Sequence, residues 1–251
     1  MIELRDVHRH YRRTHALRGV SLTVETGRRF GIVGESGSGK STMVRLLAAL
    51  DQPSSGEIFF QGKRIDNLPE RRLGFLRSEL QVVFQDPMGS LDPRMRVRDI
   101  ICEPLGRTDD VRVAELLDAV GLPADAGRRY PHQFSGGQRQ RISVARALAP
   151  RPSVLVADEP VSALDVSVRK QILDLLTDLA DRFELTLVFV SHDLGVVRRV
   201  CDTVAVMRAG EIVEQGEIAE VYDRPRHDYT RQLIAAAPNL RAELARLQGG
   251  Q

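Results

Sequence analysis

With 251 residues and 42% hydrophobic content, the chain has enough apolar material for one large α/β domain or two small ones, which excludes disorder over most of its length. Its 36 basic residues nearly balance 34 acidic ones, for a formal charge of +2, so electrostatics gives no argument for nucleic acid as the main partner. Cys102 and Cys201 stand far apart with no CxxC and no histidine pair beside them, so neither a disulfide framework nor a zinc site is indicated, and a reducing cytosol fits. The opening MIELRDVHRHYRR is too charged for a signal peptide, and no apolar run approaches the ~20 residues of a membrane span; any membrane role is expected to be peripheral.

In chain order, Ile2 to Val7 and Gly19 to Val24 read as strands, with the polar stretch HRHYRRTHAL, which holds His8, His10 and His15, as a loop between them. Tyr11 in that loop is an aromatic able to stack on adenine or to pack at an edge. A short buried strand, Arg29 to Val33, then enters Gly34-x4-Gly39-Lys40-Ser41, the spacing of a phosphate-binding loop, and a helix follows from Thr42 to Leu50. Wrapping a polyphosphate requires backbone N–H groups turned inward, and Gly34, Gly37 and Gly39 permit that approach. Lys40 brings a point charge to the β/γ-phosphates, Ser41 a hydroxyl for Mg²⁺, and the helix its positive end. Gly34, Glu35, Ser36, Gly37, Ser38, Gly39, Lys40, Ser41 and Thr42 are therefore the expected triphosphate cradle.

Pro53 to Gly56 is turn chemistry, and EIFFQGKRI reads as two strands about Gly62, an antiparallel edge layer. The strand Gln81 to Phe84 ends at Gln85, the end at which α/β proteins place ligand groups. Residues 88–150 change to 3.6-residue periodicity with few strand signals, a helical subdomain organised about FSGGQ. There Ser135, Gly136, Gly137 and Gln138 open a helix; on the residues alone they are an anion-ready helix end or an N-cap serine followed by flexible glycines. VLVADEP is a buried strand delivering Asp158 and Glu159, which can divide labour in phosphoryl transfer, Asp158 holding Mg²⁺ and Glu159 polarising the attacking water. Asp165 closes SALD before another helix; Leu185 to Val190 is a buried strand ending near His192, placed to touch a γ-phosphate; and a hairpin turns about Ala209-Gly210. The tail, residues 222–251, reads as helical with a frayed end.

In this order, GESGSGKS, Gln85, FSGGQ, VLVADEP, SALD and His192 resemble the ATP-binding cassette of ABC transporters across nearly the whole chain. The resemblance implies an α/β P-loop ATPase core, a mostly parallel sheet with helices on both faces, plus an antiparallel layer and the helical insert, all as one cassette domain. It implies paired cassettes, with ATP between the P-loop of one and Ser135, Gly136, Gly137 and Gln138 of the other. Tyr11 then stacks on adenine, Gln85 binds Mg²⁺ or water and couples to the permease, Asp158 supports Mg²⁺, Glu159 is the general base, Asp165 bridges the dimer and His192 contacts the γ-phosphate. More narrowly, VVFQDPMGSLDPR, YPHQFSGGQRQRISVARAL and YDRPRHDYTRQLIAAAP are similar to the ATPase subunits of dipeptide, oligopeptide and nickel importers. The tail has His227-Asp228-Tyr229 where that group usually has His-Pro-Tyr, and no cysteine cluster follows.

The expected function is thus an ATP-hydrolysing subunit at the cytoplasmic face of the cell membrane. Its expected partners are a second cassette (in a heterodimer or a homodimer), two permease subunits and, indirectly, a solute-binding protein, with no nucleic acid. Two other readings compete. A cassette ATPase of a soluble complex would more often carry two cassettes or long coiled coils, and a P-loop kinase gives no role to FSGGQ or SALD.

Overall fold

The computed structural model describes residues 1–236, except for the side chains of Pro87 and Met88. Its elements run β1 (Ile2–Tyr11), β2 (Thr14–Val24), β3 (Arg29–Val33), α1 (Lys40–Leu47), β4 (Ser55–Phe60), β5 (Lys63–Arg64), α2 (Gly74–Glu79) and β6 (Leu80–Val83). Then follow α3 (Pro87–Ser90), α4 (Val97–Cys102), α5 (Asp110–Ala119), α6 (Gly136–Leu148), β7 (Val154–Asp158), α7 (Val166–Arg182) and β8 (Thr186–Ser191). The last are α8 (Leu194–Val200), β9 (Thr203–Arg208), β10 (Glu211–Glu217), α9 (Ile218–Asp223) and α10 (Asp228–Ala236). The chain divides into two compact units: Met1–Arg77 together with the chain from Thr186 onward, and Ser78–Leu185.

In the first unit an antiparallel sheet has the strand order β2-β1-β4-β5. The expected polar loop HRHYRRTHAL is instead strand: β1 pairs with β2 down to Tyr11↔Thr14, leaving only Arg12 and Arg13 as the turn. Tyr11 therefore ends a strand and does not lie in a loop. Hydrophobic alternation could not show this, because both faces of the hairpin's tip are polar. The tip is held by ladder hydrogen bonds and by Asp51, which accepts from Arg9 Nη2 at 2.6 Å and Nε at 3.0 Å and from the Tyr11 hydroxyl.

The same unit has β3 between β8 and β9, both parallel to it, with β10 antiparallel on β9. Val33 pairs with Ser191 and with Val206, so β3 and β8 finish at one level while β9 runs two residues further, to Arg208. All six residues of β8 and the last four of β3 are buried, which is why both read as continuous apolar runs. The β9–β10 turn has Ala209 at φ 50° and Gly210 at φ 87°, the doubly left-handed geometry of a tight hairpin. The tail breaks between α9 and α10 at Arg224 to His227; the part expected to fray, 237–251, lies outside the described residues.

The second unit has the parallel pair β6–β7, in register from Leu80↔Val154 to Val83↔Ala157, with α6 against β6 and α3, α4, α5 and α7 packed on α6. Residues 88–150 hold helical elements only, as their periodicity indicated. Buried Arg112 of α5 donates to Leu148 O at 2.5 Å and Ala149 O at 3.2 Å, satisfying carbonyls that the end of α6 leaves without intrahelical partners. Both cysteines are buried and free, and burial pushes the Cys201 thiol up, so it behaves as a core residue. No helix among the described residues is long and apolar enough to cross a membrane.

Candidate functional site

The glycine-rich loop leaves β3 at Gly34 and closes into α1, which starts at Lys40, two residues before the expected Thr42, and ends at Leu47. Each glycine has its own reason. A side chain at Gly34 would fall 2.3 Å from the Met207 carbonyl of β9. Gly37 (φ 82°) and Gly39 (φ 108°) occupy left-handed backbone, and Gly39 also faces the Ala16 carbonyl of β2 at 2.7 Å from where a Cβ would sit. The glycines are thus demanded by the packing and turning of the loop itself, and not by ligand approach alone. Lys40 is buried, its Nζ held by Gly34 O at 2.6 Å and Glu35 O at 2.9 Å. The loop thereby curls about its own lysine.

Two neighbours brace this loop. Gly210 N–H donates to Ser38 O at 3.0 Å, tying it to the β9–β10 turn. Glu35 N–H donates to the hydroxyl of Tyr229 at 2.9 Å, a buried side chain from α10 whose ring lies under the Arg208 guanidinium. Glu35 therefore spends its N–H and its carbonyl on the fold, while its side chain, with Ser36 and Gly37, is exposed. Tyr229 was missed from sequence; the aromatic in a helical tail carried no signal that it would return to a loop almost two hundred residues earlier.

Because Val33 pairs with Ser191, Gly34 and His192 leave adjacent strand ends at the same level. His192 is exposed there, and Asp193 caps α8 by accepting from Gly195 N at 2.8 Å and Val196 N at 3.3 Å. Ser41 is exposed and Thr42 half-buried on the first turn of α1, where no acidic residue competes for the helix end. Tyr11 is half-buried, with the Arg9 guanidinium 4.5 Å from its ring centroid. Asp51 is held below the usual aspartate range: desolvation pushes it up, but the Tyr11 hydroxyl, the Gln52 N–H and Arg9 outweigh that.

In the second unit, Val83 opposite Ala157 brings Gln85 and Glu159 out at one edge. Phe84 lies outside the strand, which ends one residue earlier than expected, and is exposed. Gln85 Nε2 donates to Ser162 Oγ at 3.2 Å and Ser162 Oγ donates to Glu159 O at 3.1 Å, a short chain that makes Ser162 a second residue missed from sequence. Asp158 and Glu159 are half-buried, and Glu159 has φ 45°, left-handed backbone that is uncommon outside glycine and typical of strained functional positions. At FSGGQ, Ser135 Oγ accepts from Gln138 N at 3.3 Å while Gln138 Oε1 accepts from Ser135 N at 3.0 Å, a capping box. That satisfies the capping reading of Ser135 and leaves the anion-ready character to the Gly136 and Gly137 N–H groups. A Cβ on Gly137 would meet Val168 of α7 at 2.4 Å, so this glycine is fixed by packing. Asp165 is exposed as the residue preceding α7.

A family model described as ABC transporter matches residues 17–162. The chain belongs to the ABC transporter family. It is similar to the oligopeptide transport ATP-binding protein OppD of Mycobacterium tuberculosis, 52% identical over 229 residues that cover 89% of this chain and 37% of the relative. It is similar also to the glutathione import ATP-binding protein GsiA of Escherichia coli, 51% identical over 234 residues, 90% of this chain and 38% of the relative. This ABC chain thus spans little more than a third of the length of those relatives. Among solved structures, the ATP-binding cassette MJ0796, in a dimeric post-hydrolysis state bound to ADP and Pi, superposes with a TM-score of 0.78 at 31% identity, over 87% of this chain and 99% of that one. CbiO1 of Clostridium perfringens, part of the ABC transporter complex cbiONQ, gives 0.81 at 28%, over 97% and 98%. The fold is accordingly that of an ABC cassette, an α/β P-loop core with an antiparallel sheet and a helical segment.

The residues of this ABC chain fit a nucleoside triphosphate. Ser38 Oγ is buried without a protein partner inside the loop, Lys40 supplies a fixed positive charge, and α1 begins with its N–H groups uncontested. The Ser41 hydroxyl beside Lys40 is a hard oxygen donor of the kind Mg²⁺ takes.

Proposed function

We propose that this chain hydrolyses ATP and that the hydrolysis powers membrane import of peptides, dipeptide or oligopeptide, or of nickel-type solutes. The observation that carries the reading is the buried Lys40, folded into its own glycine loop at the start of α1, in a chain of the ABC family. The oligopeptide and glutathione import functions in the names of its relatives support the solute class.

In this reading the loop from Gly34 to Thr42 cradles the phosphates and Tyr11 stacks on adenine through the ring face opposite Arg9. His192 contacts the γ-phosphate. Glu159 accepts a proton from water as the water oxygen attacks the γ-phosphorus and the bond to the bridging oxygen breaks, releasing ADP and phosphate. Ser41, Gln85 and Asp158 are the residues we assign to Mg²⁺, which when bound neutralises charge on the triphosphate. Residues 1–251 act as one cassette with 88–150 as its helical insert and 222–251 as its tail. Ser135, Gly136, Gly137 and Gln138 serve the ATP of a second cassette, Asp165 bridges the pair, and Gln85 couples to one of two permease subunits that a solute-binding protein supplies. The chain then works at the cytoplasmic face of the cell membrane.

Affinity purification of the tagged chain from detergent-solubilised native membranes tests this. Recovery of two multi-span proteins with a second cassette is the expected result; a soluble complex without membrane proteins would overturn the transport reading. Nucleotide titration checks the site: Lys40→Ala should lose ATP affinity, and unchanged affinity would remove Lys40 from its role.

A further inference from the structure

The hairpin formed by β1 and β2 gathers three of the chain's six histidines. His10 and His15 are directly opposed across the strands, with rings stacked 3.8 Å apart and 19° from parallel. His8 lies two residues before His10, hence on the same face of β1, and its Nδ1 is 3.2 Å from His15 Nε2. One ring nitrogen from each imidazole lies within 4.8 Å of the others. Arg9 and Tyr11, the alternate residues of the strand, turn to the other face and to Asp51. The histidine cluster is therefore separate from the residues assigned to adenine.

We propose that His8, His10 and His15 form a surface binding site for a divalent transition-metal ion of the class that takes neutral imidazole, with zinc as its commonest representative. Bonds of about 2.0–2.1 Å to zinc put tetrahedral ligand atoms ~3.3 Å apart, which the His8–His15 pair already meets. The third imidazole, His10 in β1, is stacked on His15 with the rings 3.8 Å apart, so it must shift by about an ångström or more and rotate out of the stack for its in-plane lone pair to reach the same ion. A second group supports the site: His8 Nε2 lies 3.3 Å from Asp6 Oδ1, and with the proton on Nε2 the Nδ1 lone pair accepts from Gly19 N–H at 3.2 Å and faces His15 Nε2 at 3.2 Å, so a metal ion would take over an acceptor that the backbone now uses while the carboxylate orients the ring. A bulge between Leu4 and Val7 and the left-handed φ 47° of Asp6 turn that carboxylate toward His8. Gly19, at φ 65°, permits the approach, since a Cβ there would lie 3.1 Å from Asp6 Oδ1. The fourth position is left to water or to a group from outside the chain, because the histidines sit at the surface. Their spacing of two and five residues carries no ligand signal in the sequence and becomes a cluster only when the strands pair in this register.

The test is titration of the full chain, stripped with a chelator and free of nucleotide, with zinc alone, read by calorimetry and by metal content after gel filtration. One zinc per chain is expected, unaffected by millimolar Mg²⁺ or Ca²⁺, whose preference is for oxygen. His10→Asn/His15→Asn should weaken zinc binding more than about 100-fold and Asp6→Asn by about 10–100-fold, while His132→Asn changes nothing. Cobalt in place of zinc should give a visible spectrum of nitrogen and oxygen coordination that the double variant loses. No stoichiometric binding, binding retained by a double variant whose circular dichroism matches wild type, or displacement by Mg²⁺ would each overturn the proposal.

Discussion

At the scale of single residues, the backbone at Glu159 departs from what a side chain ordinarily prefers. Its φ of 45° comes directly after a buried strand, and its carbonyl accepts from Ser162, which also accepts from Gln85. Loss of a general base costs about 10²–10⁴-fold, so Glu159→Gln should lower turnover by that factor at saturating ATP while binding persists; turnover within a few-fold of wild type would remove Glu159 from this role. Asp51 gives the pH prediction. Its folded carboxyl titrates below the ordinary aspartate value, so the stability it contributes is present above pH ~4 and is lost as pH falls through its folded pKa. Asp51→Asn should therefore destabilise the chain by on the order of 1–3 kcal/mol at pH 7, with the gap from wild type closing below pH ~4 in denaturant titrations. A gap that held constant to pH 3 would contradict it.

The elements explain why adjacent, chemically identical residues are not equivalent. Gly136 and Gly137 both lie in the first turn of α6, yet an added methyl meets only an ordinary contact at the first (Leu164 Cδ2, 3.6 Å) and a clash at the second (Val168 Cγ1, 2.4 Å). Valine in a helix has little χ1 freedom to retreat. Gly137→Ala should cost about 1–3 kcal/mol of stability and Gly136→Ala close to nothing, as thermal melts would report; equal losses would show that the α6–α7 packing is not the reason. Ser135→Ala removes one half of the capping box and should cost about 1 kcal/mol in the same measurement. The strand hairpin behaves differently again: its tip is polar on both faces, so its register rests on ladder bonds and on Asp51 and not on a buried stripe.

For the whole molecule, the proposal that two cassettes share their nucleotides predicts association that depends on ATP. Glu159→Gln at saturating ATP should sediment as a dimer and return to monomer when the nucleotide is removed, alone if the chain pairs with itself and only with its partner cassette if it does not. A variant that stays monomeric with ATP in the presence of every co-purifying cassette would refute the shared site. The relatives at 51–52% identity are more than twice as long as this chain, so the pairing and permease assignments rest on this experiment and on the membrane purification.

Much of this was legible from residues alone. The spacing of Gly34, Gly39, Lys40 and Ser41, the buried strand before Asp158 and the N-cap reading of Ser135 are local: each depends on neighbours a few positions away, which the chain order records directly. The apolar runs of β3, β7 and β8 and the helical periodicity of 88–150 are likewise local averages over burial. Only the folded chain decided what depends on long-range pairing. It turned a presumed loop about Tyr11 into paired strand, brought Tyr229 to the Glu35 N–H, gave Gly34 and Gly137 their steric reasons in Met207 and Val168, and drew His8, His10 and His15 into one cluster. Register is set by contacts between distant segments, and no property of either segment alone specifies which residues will face each other.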